Sequence, residues 1–582
     1  MSDHMLEVEL QKDLNSTTDN SINNESMTDN NHLAVEEKPA QINSERTSIS
    51  GNGEVVDEKQ LSPPEEVSPR DVHGWKWTLV VMSILSSIFL FALDNTVVAD
   101  IQPAIIETFG DVDRLPWLSV GFLLGAASTN LIWGKLYSQF NGKWMYCGCV
   151  LFFEVGSAIC GGANNMTTLI IGRALCGVSG SGMYVGVMTL LSVTTTIQER
   201  PMYVGSTGLM WGIGTVLGPI IGGAFTQSSA GWRWAFYINL CVGACFAPIL
   251  IFLLPTYDPK PQTMHLHRWK EMDFVGSILI ISAFVSGVIA IGFGGILYAW
   301  NSGQIIACFV ISLVLFATFA VQQELAIFTT PARRIFPVQF FRNRTMLILF
   351  AETSCAACGV VVPLYMIPLF FQFTRTDGAL DAGVRLLPYI CLMVFFCILN
   401  GAVLSKYGYY MPWYLFGGIF TTVGSALMYT VTAESSNSAV YGYSSLIGIG
   451  VGGFVQAGFS IAQALVTMEE IPEAVGFITC GQITGITISI AVANSVFLNK
   501  AESGIAALLP NASSAEIQAA VTGVGSSIVN SLPADTKVAV LDAIIGAMSK
   551  TYIGVIAAGA LAIILSLFLK RERLFLSPAV AA

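Results

Sequence analysis

Four charged side chains fall inside runs of apolar residues: Asp94, Glu154, Arg173 and Glu352. A charge at the centre of a bilayer costs about 2.5–3.5 kcal/mol on the insertion scale, so it faces a partner or a cavity rather than lipid. Asp94 stands late in its run, in Ala92-Leu-Asp-Asn-Thr-Val-Val98, and Arg173 stands early in another, in Leu169-Ile-Ile-Gly-Arg-Ala-Leu-Cys-Gly177. A titratable carboxyl and a permanent cation in such places are the leading candidates for a functional network. Glu154, in mid-run, and Glu352, within two turns of the end of its run, are further candidates. The structural alternatives are helix capping or pairing for Asp94 and a reach to the interface for Glu352. Among uncharged groups, Gln456 and Gln463 are seven residues apart, which puts them on one face of a continuous helix. With Asn130 and Trp211 they are candidates to line a substrate path, interhelical hydrogen bonding being the plainer use.

Other chemistries lack their residues. No G-x-x-x-x-G-K-[ST] occurs, since Gly134-Lys is followed by Leu and Gly142-Lys by Trp, so no cradle for nucleotide phosphates is expected. No zinc-spaced His/Cys set is present, and none of the five histidines lies in an apolar run. All twelve cysteines, Cys147 to Cys480, lie in apolar runs, so no disulfide framework is expected; Cys355-x-x-Cys358 reads as small packing residues. Neither a cofactor nor a metal is expected, and any uphill work would draw on an ion gradient. Two pH units plus 100 mV supply about 5 kcal/mol per proton, enough for a concentration ratio of about a few thousand.

These residues need a frame of membrane helices. Of 582 residues, 53% are hydrophobic and 12% charged, against about 25% charged in soluble domains. An all-α polytopic membrane protein follows. Windows of about 20 apolar residues fall near 75–98, 115–135, 144–163, 168–190, 203–225, 233–254, 274–296, 303–323, 346–371, 384–405, 411–432, 440–467, 473–497 and 549–569. These fourteen spans group as a six-helix half over 74–255, two linking helices with loops over 256–345, and a six-helix half over 346–570. Similar turns after the second span of each half, Gly134-Lys-Leu-Tyr-Ser and Gly401-Ala-Val-Leu-Ser, suggest a duplication. Residues 1–73 hold 16 acidic and 5 basic side chains and no apolar period, the mark of a disordered tail; the remainder holds 23 of each. An even span count puts both termini on one side. With that side cytosolic, inner loops carry 14 Lys/Arg and outer loops 7, as the positive-inside rule requires. Residues 571–582 then form a cytosolic tail, and the loop of about 499–548 lies outside, with the sequon at Asn511 open to glycosylation and a Ser513-x-x-Glu516 capping box. The sequons at Asn15 and Asn24 stay in the cytosol, unused.

The fifth run reads GLMWGIGTVLGPIIGG from Gly208 to Gly223. Glycine and proline at this density would break a helix in water, but in lipid the helix persists because its backbone has no other partner. Gly208, Trp211, Thr215, Gly218 and Gly222 fall on one arc, nearly smooth, suited to a moving or sealed helix joint or to plain close packing.

Several of these motifs resemble the major facilitator superfamily, in particular its fourteen-span drug:proton antiporter branch, over residues 75–570. Gly214-x-x-x-Gly218-Pro219-x-x-Gly222-Gly223 is similar to the antiporter signature of the fifth span. Leu93-Asp94-x-Thr96-Val97-Val98…Pro103 resembles the first-span signature, with Ile101 and Gln102 replacing the usual Ala-Leu and Asp100 an added charge. Leu169-x-x-x-Arg173-x-x-Cys176-Gly177 resembles the fourth-span motif, whose arginine the family links to proton coupling; Cys176 stands where Gln is usual. Gly134-Lys-Leu-Tyr-Ser138-Gln139-Phe-Asn-Gly142-Lys143 resembles the loop motif after the second span, but Ser138-Gln139 replaces the usual Asp-Arg, which puts its charge-relay gate in doubt. Gly231-Trp-Arg-Trp-Ala-Phe-Tyr-Ile-Asn239 is similar to fungal members that export toxins and drugs. The resemblance implies alternating access, proton-coupled efflux of small organic molecules, and a plasma-membrane or alternatively vacuolar location. It implies a monomer whose partners are substrate, protons and lipid, with no nucleic acid. An importer of a nutrient or iron chelate on the same fold is the rival; a membrane enzyme or channel is a more remote one.

Overall fold

A computed structural model describes residues 69–111, 114–295, 298–521 and 533–574. Most of the acidic tail, including Asn15 and Asn24, and residues 575–582 of the C-terminal tail lie outside the described residues. Six long helices come first: α1 (Trp75–Phe109), α2 (Trp117–Gln139), α3 (Gly142–Gly161), α4 (Met166–Thr194), α5 (Arg200–Gln227) and α6 (Trp234–Phe252). The short α7 (His265–Lys270) leads into a hairpin of α8 (Phe274–Phe293) and α9 (Gly303–Leu325), followed by the brief α10 (Val338–Arg342). The second set holds α11 (Arg344–Arg375), α12 (Ala379–Val384), α13 (Leu387–Tyr407), α14 (Met411–Tyr429), α15 (Asn437–Gly452) and α16 (Ala457–Ala464). It closes with α17 (Ile471–Leu508), α18 (Ser514–Val521) and α19 (Ala534–Ser566). Among the described residues, twelve helical stretches are long and apolar enough to cross a membrane, α12 with α13 and α15 with α16 each counting as one. Helices α2 and α14, whose apolar residues are diluted by Gly, Ser, Thr and Tyr, occupy the remaining two of the fourteen expected places.

Local chemistry sets the ends of these helices. Asn141, Asn165, Asp273, Ser302, Asn343 and Ser436 each accept a hydrogen bond from a backbone N–H of the turn they precede, satisfying a donor that the helix cannot. Helices α1 and α13 stop at Gly110 and Gly408, whose φ of 69° and 73° suit a residue without Cβ. Within the first six helices, α1 packs on α5 and α6, α2 on α4, and α3 on α4 and α6. In the second set α11 packs on α17 and α19, and α14 on α15 and α19. The two sets meet along two seams, α5 with α13 and α2 with α17. The α8–α9 hairpin covers the second seam, where Ile280, Phe284 and Val288 cluster with Leu131 of α2 and Cys480 of α17.

Three expectations change. The segment of about 499–548, read from the sequence as a partly helical loop, is helical over most of its described length, because α17 continues to Leu508 and α19 already starts at Ala534. The span holding Gln456 and Gln463 is not one helix: α15 ends at Gly452, a turn follows, and Gln456 is the residue before α16. Gly452 and Gly453 stand at that break, which falls before both glutamines: Gln456 is the N-cap of the short helix that carries Gln463. The single smooth arc of α5 is in fact two. A Cβ on Gly214 would stand 3.1 Å from Leu93 N, one on Gly218 3.1 Å from Val97 N, and one on Gly222 3.2 Å from Val97 O, all on α1. A Cβ on Gly208 would instead meet Cys397 Sγ at 2.6 Å, and one on Gly212 Ile390 Cγ2 at 3.3 Å, both on α13. Gly223 meets nothing within 4 Å.

Ahead of α1, Arg70 grips Glu199 through two hydrogen bonds of 2.7 and 3.0 Å, and its guanidinium lies 4.6 Å over the Trp77 ring. The hydrogen bond from Arg70 holds the Glu199 carboxyl below the usual carboxylate range. A lowered folded-state pKa stabilises at pH above the unfolded value and loses that contribution as pH falls through the folded one. Glu199→Gln is therefore expected to shrink the loss of thermal stability between about pH 5 and pH 3, read in detergent solution. Gly218→Val is expected to force α1 from α5 at a cost of about 1–3 kcal/mol, seen as a lower melting temperature, whereas Gly223→Val leaves it unchanged.

Candidate functional site

The structure brings Asp94 and Arg173 into direct contact. Both are buried, at 0% and 1% exposure. Arg173 Nη1 donates to the Asp94 carboxylate and, at 3.1 Å, to the Asp94 backbone carbonyl. Its Nε donates to Leu118 O at 3.2 Å, and its guanidinium lies 4.3 Å from the centre of the Phe122 ring. Asn239 Nδ2 donates to the other Asp94 oxygen at 3.3 Å and to Ser157 Oγ at 3.1 Å. One helix supplies each side chain: α1 the carboxylate, α4 the guanidinium, α6 the amide and α3 the hydroxyl. Removing two charges from water is tolerable only when pairing and hydrogen bonds compensate, and here both are present.

Close helix contacts set this geometry. Gly214 and Gly218 of α5 press on the α1 backbone at Leu93 and Val97, on either side of Asp94. A Cβ on Gly177 of α4 would stand 3.1 Å from Phe122 Cα, so its absence lets α2 seat Phe122 beside Arg173. Glu154 borders the cluster: it is one turn from Ser157 on α3 and packs on Gly243, one turn from Asn239 on α6. Its carboxylate oxygens are buried and have no hydrogen-bond partner. Glu352 lies elsewhere, on α11 in the second set, fully buried and with both oxygens equally unpartnered. No hydrogen bond among the described residues joins it to Asp94. Asn239 and Ser157 received no role from the sequence. Asn239, the lone amide of its apolar run, carried a signal of the same kind as Gln456; Ser157 carried none.

A second constellation locks the two sets of helices together at the end of the bundle where α1 begins. Lys135 Nζ, 3% exposed, donates to Glu473 Oε1 at 2.8 Å and to Ala332 O at 2.9 Å, and Ser138 Oγ donates to the same Glu473 oxygen at 3.4 Å. Asn130 Nδ2 donates to Gly476 O at 3.1 Å, and a Cβ on Gly134 would lie 3.4 Å from Gly476 Cα. On the other seam Ser405 Oγ donates to Gln198 O at 2.5 Å and Arg200 Nη1 to Gln463 O at 3.3 Å. The carboxylate missing at Ser138 thus arrives from α17 as Glu473. Gln139 instead accepts from Lys260 Nζ at 2.8 Å. At the opposite end Pro219 touches across, its Cβ 3.3 Å from where a Gly383 Cβ would stand.

Of the path candidates, Asn130 and Gln463 are held in these seam bonds, Gln463 Nε2 donating to Met188 O at 3.5 Å. Trp211 remains half-buried between Phe91 and Tyr184, at 5.6 and 6.2 Å between ring centres. Gln456 sits against Gly208, its Cγ 3.6 Å from where a Cβ would be. Asn511 is exposed in the turn between α17 and α18, where Ser513 and Glu516 cap each other's backbone N–H groups. Breaking the central pair has a defined signature. Asp94→Asn alone leaves a buried unpaired guanidinium and should cost about 3–5 kcal/mol. The double variant Asp94→Asn/Arg173→Gln should be more stable than that single one, in thermal unfolding of the purified protein.

Known proteins share this chain's sequence over nearly its whole length. A family model described as Major Facilitator Superfamily matches residues 84–271. An "MFS-type transporter pgmG" of Aspergillus terreus is 52% identical over 523 residues, covering 90% of this chain and 93% of the relative. An "Efflux pump alnA" of Emericella nidulans is 49% identical, covering 89% and 95%; an "Efflux pump DEP3" of Fusarium langsethiae is 42% identical, covering 86% and 91%. The crystal structure of the human organic anion transporter MFSD10 (TETRAN) superposes with a TM-score of 0.53 at 12% identity, covering 85% of this chain and 100% of that one, a likeness of fold. The all-helical bundle and identities of this size over such spans lead to one statement: the chain belongs to the major facilitator superfamily and is a multi-pass membrane transporter.

Proposed function

We propose that this transporter moves small organic molecules out of the cytosol in exchange for protons, with Asp94 as the proton-carrying group and Arg173 as its competitor. The observation that carries this reading is the sealed Asp94–Arg173 pair, four helices converging on one buried carboxylate. In the arrangement described, Arg173 and Asn239 each donate to the carboxylate, and the guanidinium supplies the positive charge that a bound proton would otherwise supply. When the helix sets rearrange and Arg173 withdraws, a buried carboxylate without a cation takes a proton in preference to remaining charged. Proton and guanidinium then alternate on Asp94 as the two sets rock about the α5–α13 and α2–α17 seams. Glu154, one turn from Ser157 on α3, would hand protons on, and Glu352 would serve as a separate proton site in the second set.

Both termini are placed in the cytosol, so the Lys135–Glu473 lock closes the cytosolic end and substrate leaves from the other. Gly214, Gly218, Pro219 and Gly222 shape the joint that limits leak, whereas Gly223, in the same motif, touches no neighbour. We assign the plasma membrane rather than the vacuolar one, a monomeric state, and a glycan on the outward-facing Asn511. The efflux names of similar fungal proteins support the direction.

Proteoliposomes carrying a fluorescent organic substrate test the reading. An imposed gradient of about two pH units should drive accumulation many-fold above equilibrium. Asp94→Asn should abolish accumulation while downhill exchange continues; accumulation indifferent to the gradient would overturn the proposal. The lock makes its own prediction. Glu473→Gln should increase labelling of a cysteine placed at Ser138 from the cytosolic side several-fold, and the swap Lys135→Glu/Glu473→Lys should restore protection.

A further inference from the structure

Five aromatic rings form a continuous path from the ion pair to the second helix set. Phe122, beside Arg173, stacks on Phe91 at 5.4 Å; Phe91 meets Trp211 at 5.6 Å; Trp211 meets Tyr184 at 6.2 Å; and Tyr184 meets Phe459 of α16 at 6.1 Å. The Tyr184 hydroxyl donates to Gln482 Oε1 on α17 at 3.2 Å, bridging the two sets. Trp211 meets both neighbouring rings edge-on and stays half-buried, so part of the indole is left uncovered. One turn along α5, Gly208 admits Gln456, which is 8% exposed and whose Oε1 is a buried acceptor with no donor. Aromatic faces prefer flat apolar partners, and an unpaired buried carbonyl demands an N–H or O–H. The charged pair nearby is already neutralised internally, so the surroundings do not favour a net charge.

We infer that Trp211, Tyr184 and Phe91 form the platform, and Gln456 Oε1 the polar end, of a binding site for an uncharged, flat, ring-bearing molecule with a hydroxyl donor, such as a phenol. This deepens the transport reading and rests on it for the site's role, though binding itself needs no gradient. Its three rings come from the first helix set and its polar end from the second, so an occupant touches both bodies that must move. A phenol lying on Trp211 donates its O–H to Gln456, replacing the bond that the buried carbonyl otherwise lacks.

The test is equilibrium dialysis of the full chain in lipid nanodiscs at neutral pH, corrected with empty nanodiscs, using three matched probes. These are 2-naphthol, 2-methoxynaphthalene, which lacks the donor, and the 2-naphthoate anion. The expected result is that 2-naphthol binds roughly three- to tenfold more tightly than 2-methoxynaphthalene and that 2-naphthoate binds most weakly. Trp211→Ala should weaken 2-naphthol binding roughly two- to tenfold, with Trp211→Phe retaining most of it. Gln456→Leu should erase the preference for 2-naphthol and leave 2-methoxynaphthalene unaffected. Equal binding of the two neutral probes, tightest binding of the anion, or indifference to both Trp211→Ala and Gln456→Leu would overturn the assignment. Size-exclusion profiles matching the wild type ensure that lost binding is not lost folding. If the probes bind as expected but proteoliposomes accumulate nothing, the transport reading fails and the site stands; gradient-driven export with no naphthol binding has the opposite meaning.

Discussion

A carboxylate and a guanidinium buried together inside a membrane bundle can persist only by holding each other. That constraint, at Asp94 and Arg173, determines much of what surrounds it. Each charge left alone would cost several kcal/mol, about 3–5 when one partner of a buried pair is removed. Asn239 and Ser157 fill the remaining hydrogen-bonding positions, Phe122 covers the guanidinium, and glycines on α4 and α5 let backbones approach closely enough to bring all of them within reach. A pair balanced in this way is also the natural place for a third ion to intervene, since a proton can substitute for Arg173 at little electrostatic loss.

Helix α5 links this pair to the seam. One glycine row meets α1 at Asp94's own turns, and the other meets α13 of the second set. Motion of α13 against α5 is therefore one close-packed helix away from the Asp94 carboxylate. The same helix presents Trp211, whose neighbour Phe91 stacks on Phe122 and so on Arg173. The proposed substrate platform, joint and proton site share a few turns of backbone. The α8–α9 hairpin lies over the other seam, and the segment following it lends the Ala332 carbonyl to Lys135, so the inserted helices contribute to the lock.

Much of this was legible in sequence because lipid makes composition decisive: spans need apolar runs, and charges inside them need reasons. That logic marked Asp94 and Arg173 as members of one network and marked the glycines of α5 for close helix packing. It failed where partners are remote. Nothing local pairs Lys135 with Glu473, 338 residues away, nor groups Tyr184 and Phe459 from opposite sets. Nor does an apolar stretch declare where its helix breaks, as at Gly452 before Gln456. Periodicity also overreached on α5: glycines at four-residue spacing on each of two rows read as one arc until α1 and α13 were in place.

The most direct test of alternation between proton and arginine on Asp94 is proton flux driven by substrate. Vesicles containing a pH-sensitive dye, held without a pH gradient, are given an inward-directed or outward-directed gradient of a transported molecule. Wild-type protein should move protons opposite to the substrate, and the dye signal should change sign with the gradient. Asp94→Asn should still exchange substrate but move no protons. Substrate-driven proton movement that persists in Asp94→Asn would contradict the account.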